Sequence, residues 1–324
     1  MVKHLIPKVK QNIRWKLADL LFACGWKGQL LQPKHGQRMI CYHGIDLEGR
    51  KVNSRFLQRD VFEQQLVWMK ENCNILSIED YFSKRQNTEQ LNLCLSFDDG
   101  YANNFQYVLP LLEKYELPAT FYVSPSFCLG QTILWNDLID LLEINQPEIV
   151  LEWAAQNGLQ ADFRSIRTAL MQSGTTMIQP FVDDLQHKAA FMTDSKWDDY
   201  WRLMDSKQIM EAARHPLVTI GSHTCRHPNL TTMAIDDAVE ECKMAKKCLE
   251  DLLDVEILDF AFPYGAYNTS LVAALEGIGH SRLACLDIAP ADTAGMDACR
   301  GRMTNNAALS TQVQLMEYIR GSYY

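Results

Sequence analysis

From residue 38 onward the chain alternates short apolar runs with stretches whose apolar residues recur at helical spacing. That alternation restricts it to α/β architectures. The runs expected as strands are Met39–Tyr42, Leu91–Phe97, Thr120–Val123, Val218–Ile220, Ile257–Phe262 and Arg282–Ile288. Between them, a helix is expected from about Val61, with Asp60 and Glu63 spaced as a capping box. Ile235–Leu253 carries Ile235, Val239, Cys242, Ala245, Leu249 and Leu252 on one stripe, and a third helix begins near Ser270 and stops near Gly277 and Gly279. Polar residues follow the strand ends: His43, Asp98-Asp99, His223 and Tyr264. In barrel-like α/β folds the loops at those ends converge on one mouth, where active sites are built.

With 324 residues, the chain has room for one large domain with an insertion or for two modest ones. Residues 131–205 break the alternation and read as a helical insert over the mouth, with most of Trp135, Trp153, Trp197 and Trp201 forming its own core. A net charge of −9 argues against general nucleic-acid binding, which rests on phosphate neutralisation by Lys and Arg. The ten cysteines are scattered without a CxxC pair, the usage of buried thiols in a reducing, cytoplasmic compartment. Residues 1–37 form a separate arm. Up to Arg38 there are eight Lys and Arg against one acid, Asp19, a local charge of +7 that leaves −16 for the rest. Ile6, Val9, Ile13, Leu17, Leu20 and Leu21 recur there at helical spacing. Such a helix either lies on an anionic membrane surface or packs on the protein body. The apolar stretch Leu17–Cys24 is short and broken by Asp19, which disfavours a signal peptide.

The chemistry concentrates in three turns and one histidine. Adjacent carboxylates at Asp98 and Asp99 repel, and stay ionised together only beside a cation. His223 and His227 stand four residues apart after a strand, close enough to share a cation; with one carboxylate they make a set that leaves positions open for water and substrate. The turn Phe262-Pro263-Tyr264-Gly265 fixes a backbone path that can aim an N–H at a developing oxyanion. His43, in Tyr42-His43-Gly44, stands where a leaving amine could take its proton.

Together these residues resemble the polysaccharide deacetylase family, the NodB-homology or carbohydrate esterase family 4. Ser96-Phe97-Asp98-Asp99-Gly100 resembles its first motif, His223-Thr224-Cys225-Arg226-His227 its second, and Phe262-Pro263-Tyr264-Gly265 its third. Leu109-Pro110-Leu111-Leu112, Pro118-Ala119-Thr120-Phe121 and His227-Pro228-Asn229-Leu230 are similar too. The likeness spans roughly 38–130 and 215–305. It implies a distorted (β/α) barrel within 38–324, interrupted by the insert. It also implies one divalent metal, most simply Zn2+ with Co2+ or Ni2+ as alternatives, held by Asp99, His223 and His227. Asp98 becomes the general base, and the Tyr264 N–H an oxyanion donor. Two features depart from the pattern. The third-motif arginine falls at Ala261, so Arg300 or Arg302 would have to supply it from the last strand. The late acid histidine is not recognisable, because His280 lies in unmatched surroundings; members acting on poly-N-acetylglucosamine place it early in a Tyr-His motif, which assigns the role to His43.

The expected function is therefore removal of an N-acetyl or other small N-acyl group from an aminosugar, in a glycan or lipid-linked saccharide, at the inner membrane face. The alternatives are a glycan-binding relative without turnover, an amidohydrolase acting on a non-sugar amide, and an iron oxygenase, which the α/β pattern disfavours.

Overall fold

The structure, a computed structural model, describes residues 2–32, 35–83, 89–130, 132–286 and 298–321. Among the described residues ten strands are defined: β1 Gly36–Tyr42, β2 Ile45–Asp46, β3 Leu57–Gln58, β4 Asn74–Leu76, β5 Leu91–Phe97, β6 Ala119–Val123, β7 Val218–Ser222, β8 Asp259–Ala261, β9 Arg282–Leu286 and β10 Cys299–Thr304. The main sheet is parallel and runs β1-β10-β9-β8-β7-β6-β5, and β5 pairs again with β1, closing a seven-stranded barrel. Strand β4 flanks β5 outside the ring, and β2 pairs only with β3. This is the distorted (β/α) barrel that the sequence leads one to expect.

The strands form because their residues can be buried on both faces. All seven residues of β5, Leu-Asn-Leu-Cys-Leu-Ser-Phe, are buried, the continuous pattern of a parallel strand covered by helices. The covering helices include Arg59–Asn72, Leu109–Tyr115, Ser206–Arg214, Ile235–Leu253, Thr269–Gly277 and Thr311–Arg320. Several are capped by their own sequence. Asp205 and Gln208 form a reciprocal capping box, and Asn268 and Ser310 accept from the N–H groups of Leu271 and Val313.

Two local expectations are corrected. The Asp60–Glu63 capping box does not form: the helix starts at Arg59, and the Glu63 carboxylate accepts instead from Lys114 Nζ and Tyr115 Oη, both at 2.7 Å. The run Ile257–Phe262 is a strand only over Asp259–Ala261. The N–H and C=O of Ile257 are diverted to Glu250 Oε1 (3.0 Å) and Lys246 Nζ (2.6 Å), so they cannot join the ladder. Of the expected strand Arg282–Ile288, residues 287 and 288 lie outside the described residues.

Residues 132–205 fold into helices around a second apolar core that includes Trp135, Trp153, Phe181, Trp197 and Trp201. Tyr101 and Phe56, from barrel loops, join the same cluster, and a bridge pairs Tyr101 with Leu203. The N-terminal helix Val2–Ala23 lies against Thr311–Arg320. Ala18 is buried and Trp15 and Phe22 pack on the barrel core, while Arg14 pairs with Glu317 at 2.5 Å and Ser310 Oγ donates to Asp19 at 2.5 Å. The inward face is therefore Trp15, Ala18 and Phe22. Ile13, Leu17 and Leu20, expected on the apolar stripe, point outward at 61%, 54% and 61% exposure.

Inside the barrel, Gly221 on β7 stands in register with Tyr122 on β6. A Cβ at Gly221 would meet the Tyr122 ring at 2.6 Å and Asp259 Cβ at 3.1 Å. Gly221→Ala is expected to lower stability by about 1–3 kcal/mol through overpacking, read by urea unfolding; unchanged stability would contradict this close approach.

Candidate active site

The first turn places its two carboxylates differently. β5 ends at Phe97, and Asp99 (φ 73°) and Gly100 (φ 76°) both take left-handed backbone, which reverses the chain behind the acids. A non-glycine residue there is strained by about 1 kcal/mol or more, a cost concentrated at functional sites. Thr224 (φ 63°), His227 (φ 56°) and Tyr264 (φ 59°) share it, so all three motif turns are held in this conformation.

Asp99 is 1% exposed, and neither of its oxygens receives a hydrogen bond. His223 Nε2 stands 3.5 Å and His227 Nε2 3.2 Å from Asp99 Oδ1. Metal bonds of 2.0–2.1 Å in a tetrahedron set ligand atoms roughly 3.3 Å apart. The three side chains therefore fit one small divalent cation, and the orphaned buried oxygens are what such an ion would satisfy. His223 Nδ1 lies 2.8 Å from the Ala261 carbonyl, an interaction that turns Nε2 toward Asp99 and fixes the tautomer of a ligand. Burial opposes the charge of Asp99, but the two imidazoles outweigh it and hold its pKa well below the usual carboxyl value.

Asp98 faces a cation from the protein instead. Arg302 Nη1 donates to Oδ1 at 2.6 Å and Nη2 to Oδ2 at 2.7 Å, a fork on a carboxylate only 4% exposed. Cys41 Sγ adds a contact to Oδ2 at 3.3 Å. Burial works against ionisation here too; Arg302, then His223, reverse it and bring the pKa to about 2. Of the two arginines that the sequence offers in place of the third-motif residue, Arg302 reaches Asp98. Arg300 lies over the Phe82 ring, 5.2 Å from its centroid.

His43 follows β1, half-buried. A ring nitrogen of His43, Cys41 Sγ and an Asp98 oxygen lie within 4.8 Å of one another. These three are a poor second cation site, because Arg302 already neutralises Asp98. Burial pushes the His43 pKa down to about 4, leaving a neutral imidazole. Tyr264 sits in the turn Pro263–Gly265, whose own hydrogen bonds use the N–H groups of Gly265 and Ala266. Its ring packs edge-on to His227 with centroids 5.0 Å apart, and its hydroxyl accepts from Trp135 Nε1 at 3.0 Å.

The sequence reading missed three contributors. Trp135 reaches the site from the insert, as just described. Asp137, also from the insert, accepts from Tyr101 Oη (2.7 Å), Asn53 Nδ2 (3.0 Å) and Arg55 Nη2 (3.0 Å). Arg55 itself contributes a positive field at His43 and His227. Arg302 was one of the two arginines that the sequence offered; no signal was present for Arg55, whose loop reads as ordinary surface.

Because the Asp98 pKa falls from 3.8 to about 2 in the fold, its pairing stabilises the protein fully above the unfolded value. That contribution, roughly 2 kcal/mol, is lost as pH falls from about 4 through about 2. In Arg302→Met, burial is opposed only by His223 and His43, so the Asp98 pKa rises and protonation relieves the charge that has lost its fork. Urea unfolding of the chelator-treated protein should show about 3–5 kcal/mol lost at pH 7 in that variant, shrinking toward pH 4. An equal loss at every pH would contradict the pairing.

The profile of the polysaccharide deacetylase family matches residues 85–158 and 169–283. No curated protein sequence matches the chain. Among solved structures, the chain is similar in fold to the Streptococcus pyogenes deacetylase PplD in complex with acetate, at 19% identity and TM-score 0.57 over 87% of this chain and 97% of that one. It is similar to IcaB from Ammonifex degensii at 17% identity and TM-score 0.58, over 89% and 98%. A third is the de-N-acetylase from Aggregatibacter actinomycetemcomitans, at 16% identity and TM-score 0.53, over 84% and 95%. With the family profile matched over more than half its length and the barrel matching as well, this chain belongs to the polysaccharide deacetylase family.

Proposed function

We propose that the chain is a divalent-metal-dependent N-deacetylase that hydrolyses the acetamide, or another small N-acyl group, of an aminosugar during cell-surface polysaccharide synthesis. The observation that carries this reading is the pairing of an Asp99 whose oxygens receive no hydrogen bond and face His223 and His227 with an Asp98 held in the Arg302 fork. One carboxylate is prepared for a cation and its neighbour for protons. A bound zinc, cobalt or nickel ion would supply Lewis acidity to the acyl carbonyl and ease the ionisation of water.

The chain's own residues supply the rest. Asp98 accepts the proton of the attacking water on a lone pair outside the Arg302 fork, and the fork fixes its aim. The Tyr264 N–H, projecting from its left-handed turn, donates to the oxyanion. His43 protonates the leaving nitrogen. Since resting His43 is neutral, the proton it delivers arrives during the reaction, and Asp98, within 4.8 Å, is its source. Water and amide thus become a carboxylic acid and an amine. Against the reading as a glycan-binding relative without turnover stands the Arg302 fork on Asp98, in the position of an arginine that orients the base.

A cytoplasmic location at the inner membrane face belongs to the same proposal. Its support is the basic N-terminal arm, whose outward Ile13, Leu17 and Leu20 recur at helical spacing.

Acetate release from N-acetylglucosamine oligomers tests the activity. Asp98→Asn and His43→Ala should each cut turnover by about 10²–10⁴ while metal content is unchanged; full turnover in either would remove that residue from the mechanism. For the arm, joint Ile13→Ser, Leu17→Ser and Leu20→Ser should abolish sedimentation with vesicles containing phosphatidylglycerol. Equal sedimentation of both proteins would sink the membrane contact.

A further inference from the structure

Two buried tryptophans of the insert use their indole N–H groups differently. A buried indole N–H needs an acceptor. Trp153 finds one within the insert, where Nε1 donates to Asp184 Oδ2 at 3.0 Å. Trp135, only 3% exposed, takes its acceptor from the barrel: Nε1 donates to the Tyr264 hydroxyl at 3.0 Å.

That hydroxyl is itself shared. Tyr264 Oη donates to the His227 carbonyl at 3.4 Å, and the Tyr264 ring lies edge-on to the His227 imidazole. Two residues beyond Trp135, Asp137 accepts from Tyr101 Oη at 2.7 Å, and Tyr101 is two residues past Asp99. The first turn of the helix Trp135–Asn145 thus reaches the turns of Asp99 and Tyr264 directly, and that of His227 through one hydroxyl.

These turns need support from outside. Tyr264 (φ 59°, ψ 5°) and His227 (φ 56°) hold left-handed backbone, which non-glycine residues keep only where the surroundings over-determine it. Behind the Tyr264 turn, a Cβ at Gly265 would meet the Leu286 nitrogen of β9 at 2.6 Å, so the backbone rests against the barrel there. In front, the Trp135 indole holds the Tyr264 side chain. The N–H aimed by this turn serves an oxyanion, which forms only as the amide is attacked. A change of aim therefore costs the reaction and leaves substrate binding alone.

We propose that Trp135 is a positioning residue of the deacetylation: by anchoring the Tyr264 hydroxyl it fixes the aim of the Tyr264 N–H and, through the same hydroxyl, the turn that presents His227. The inference rests on the deacetylase reading and gives the insert a part in its chemistry.

The test compares the full chain with Trp135→Phe, Tyr264→Phe, their double variant and Trp153→Phe. Acetate release from N-acetylglucosamine oligomers is measured at saturating zinc, and zinc affinity by competition with a chelator. Each of the first two variants should lose about tenfold in kcat with KM unchanged, and bind zinc about tenfold more weakly. The double variant should fall no further than either single one, because both remove the same contact. Trp153→Phe loses an indole hydrogen bond that stays inside the insert, so its kcat and zinc affinity should match the wild type. Tyr264→Phe breaks the contact from the barrel side and keeps the test readable even where Trp135→Phe fails to fold. Unchanged kcat in the single variants, losses that multiply in the double variant, or an equal loss in Trp153→Phe would overturn the inference and leave the deacetylase intact. A wild-type chain that binds zinc without releasing acetate would overturn the deacetylase reading. Zinc affinity then decides the remaining part: weaker binding in both single variants keeps the positioning of His227, and equal binding overturns it as well.

Discussion

The double pairing of β1, with β10 on one side and β5 on the other, is the constraint on which the site depends. Closing the barrel there sets Arg302, on β10, across from Asp98, which follows β5, although 204 residues separate them. Two buried charges so placed would each be costly alone, and together their fork makes both tolerable. The consequence reaches beyond stability. With Asp98 satisfied by Arg302, the cation-binding capacity of the turn falls entirely on Asp99, whose free oxygens face the two histidines. Adjacent carboxylates of the same turn thus acquire opposite tasks from their surroundings.

Much of this was readable in the sequence because it is local. Strand β5 occupies Leu91–Phe97 and the long helix Ile235–Leu253, both at the bounds that periodicity gives. The Asp98-Asp99-Gly100 turn, the His223 and His227 spacing and the position of Tyr264 are short-range patterns of the same kind. Departures came where a distant group competed for a local one. Lys114 and Tyr115 took the carboxylate that Glu63 would have given to a cap, and Lys246 and Glu250 took the backbone of Ile257 out of its strand. On the N-terminal helix, apolar spacing alone cannot choose which face meets the barrel. Trp15, Ala18 and Phe22 won it from Ile13, Leu17 and Leu20.

The insert illustrates a further limit of local reading. Its tryptophans do build a separate core, yet Trp135 and Asp137 at the head of its first long helix reach into the barrel mouth. Trp135 braces the Tyr264 side chain, whose backbone makes the strained turn, and Asp137 braces Arg55. The insert therefore shapes the mouth as well as covering it. Nothing in its composition marks those two residues, because their partners come from three separate segments of the barrel.

The central claim is that Asp99, His223 and His227 hold one divalent ion while Asp98 does not. Elemental analysis of the purified chain beside Asp99→Ala and Asp98→Asn tests it most directly. The account predicts about one zinc, cobalt or nickel ion per chain in the wild type and in Asp98→Asn, and none in Asp99→Ala, as expected for a three-residue ligand set. Metal retained in Asp99→Ala, or absent from the wild type after loading with each ion, would contradict it.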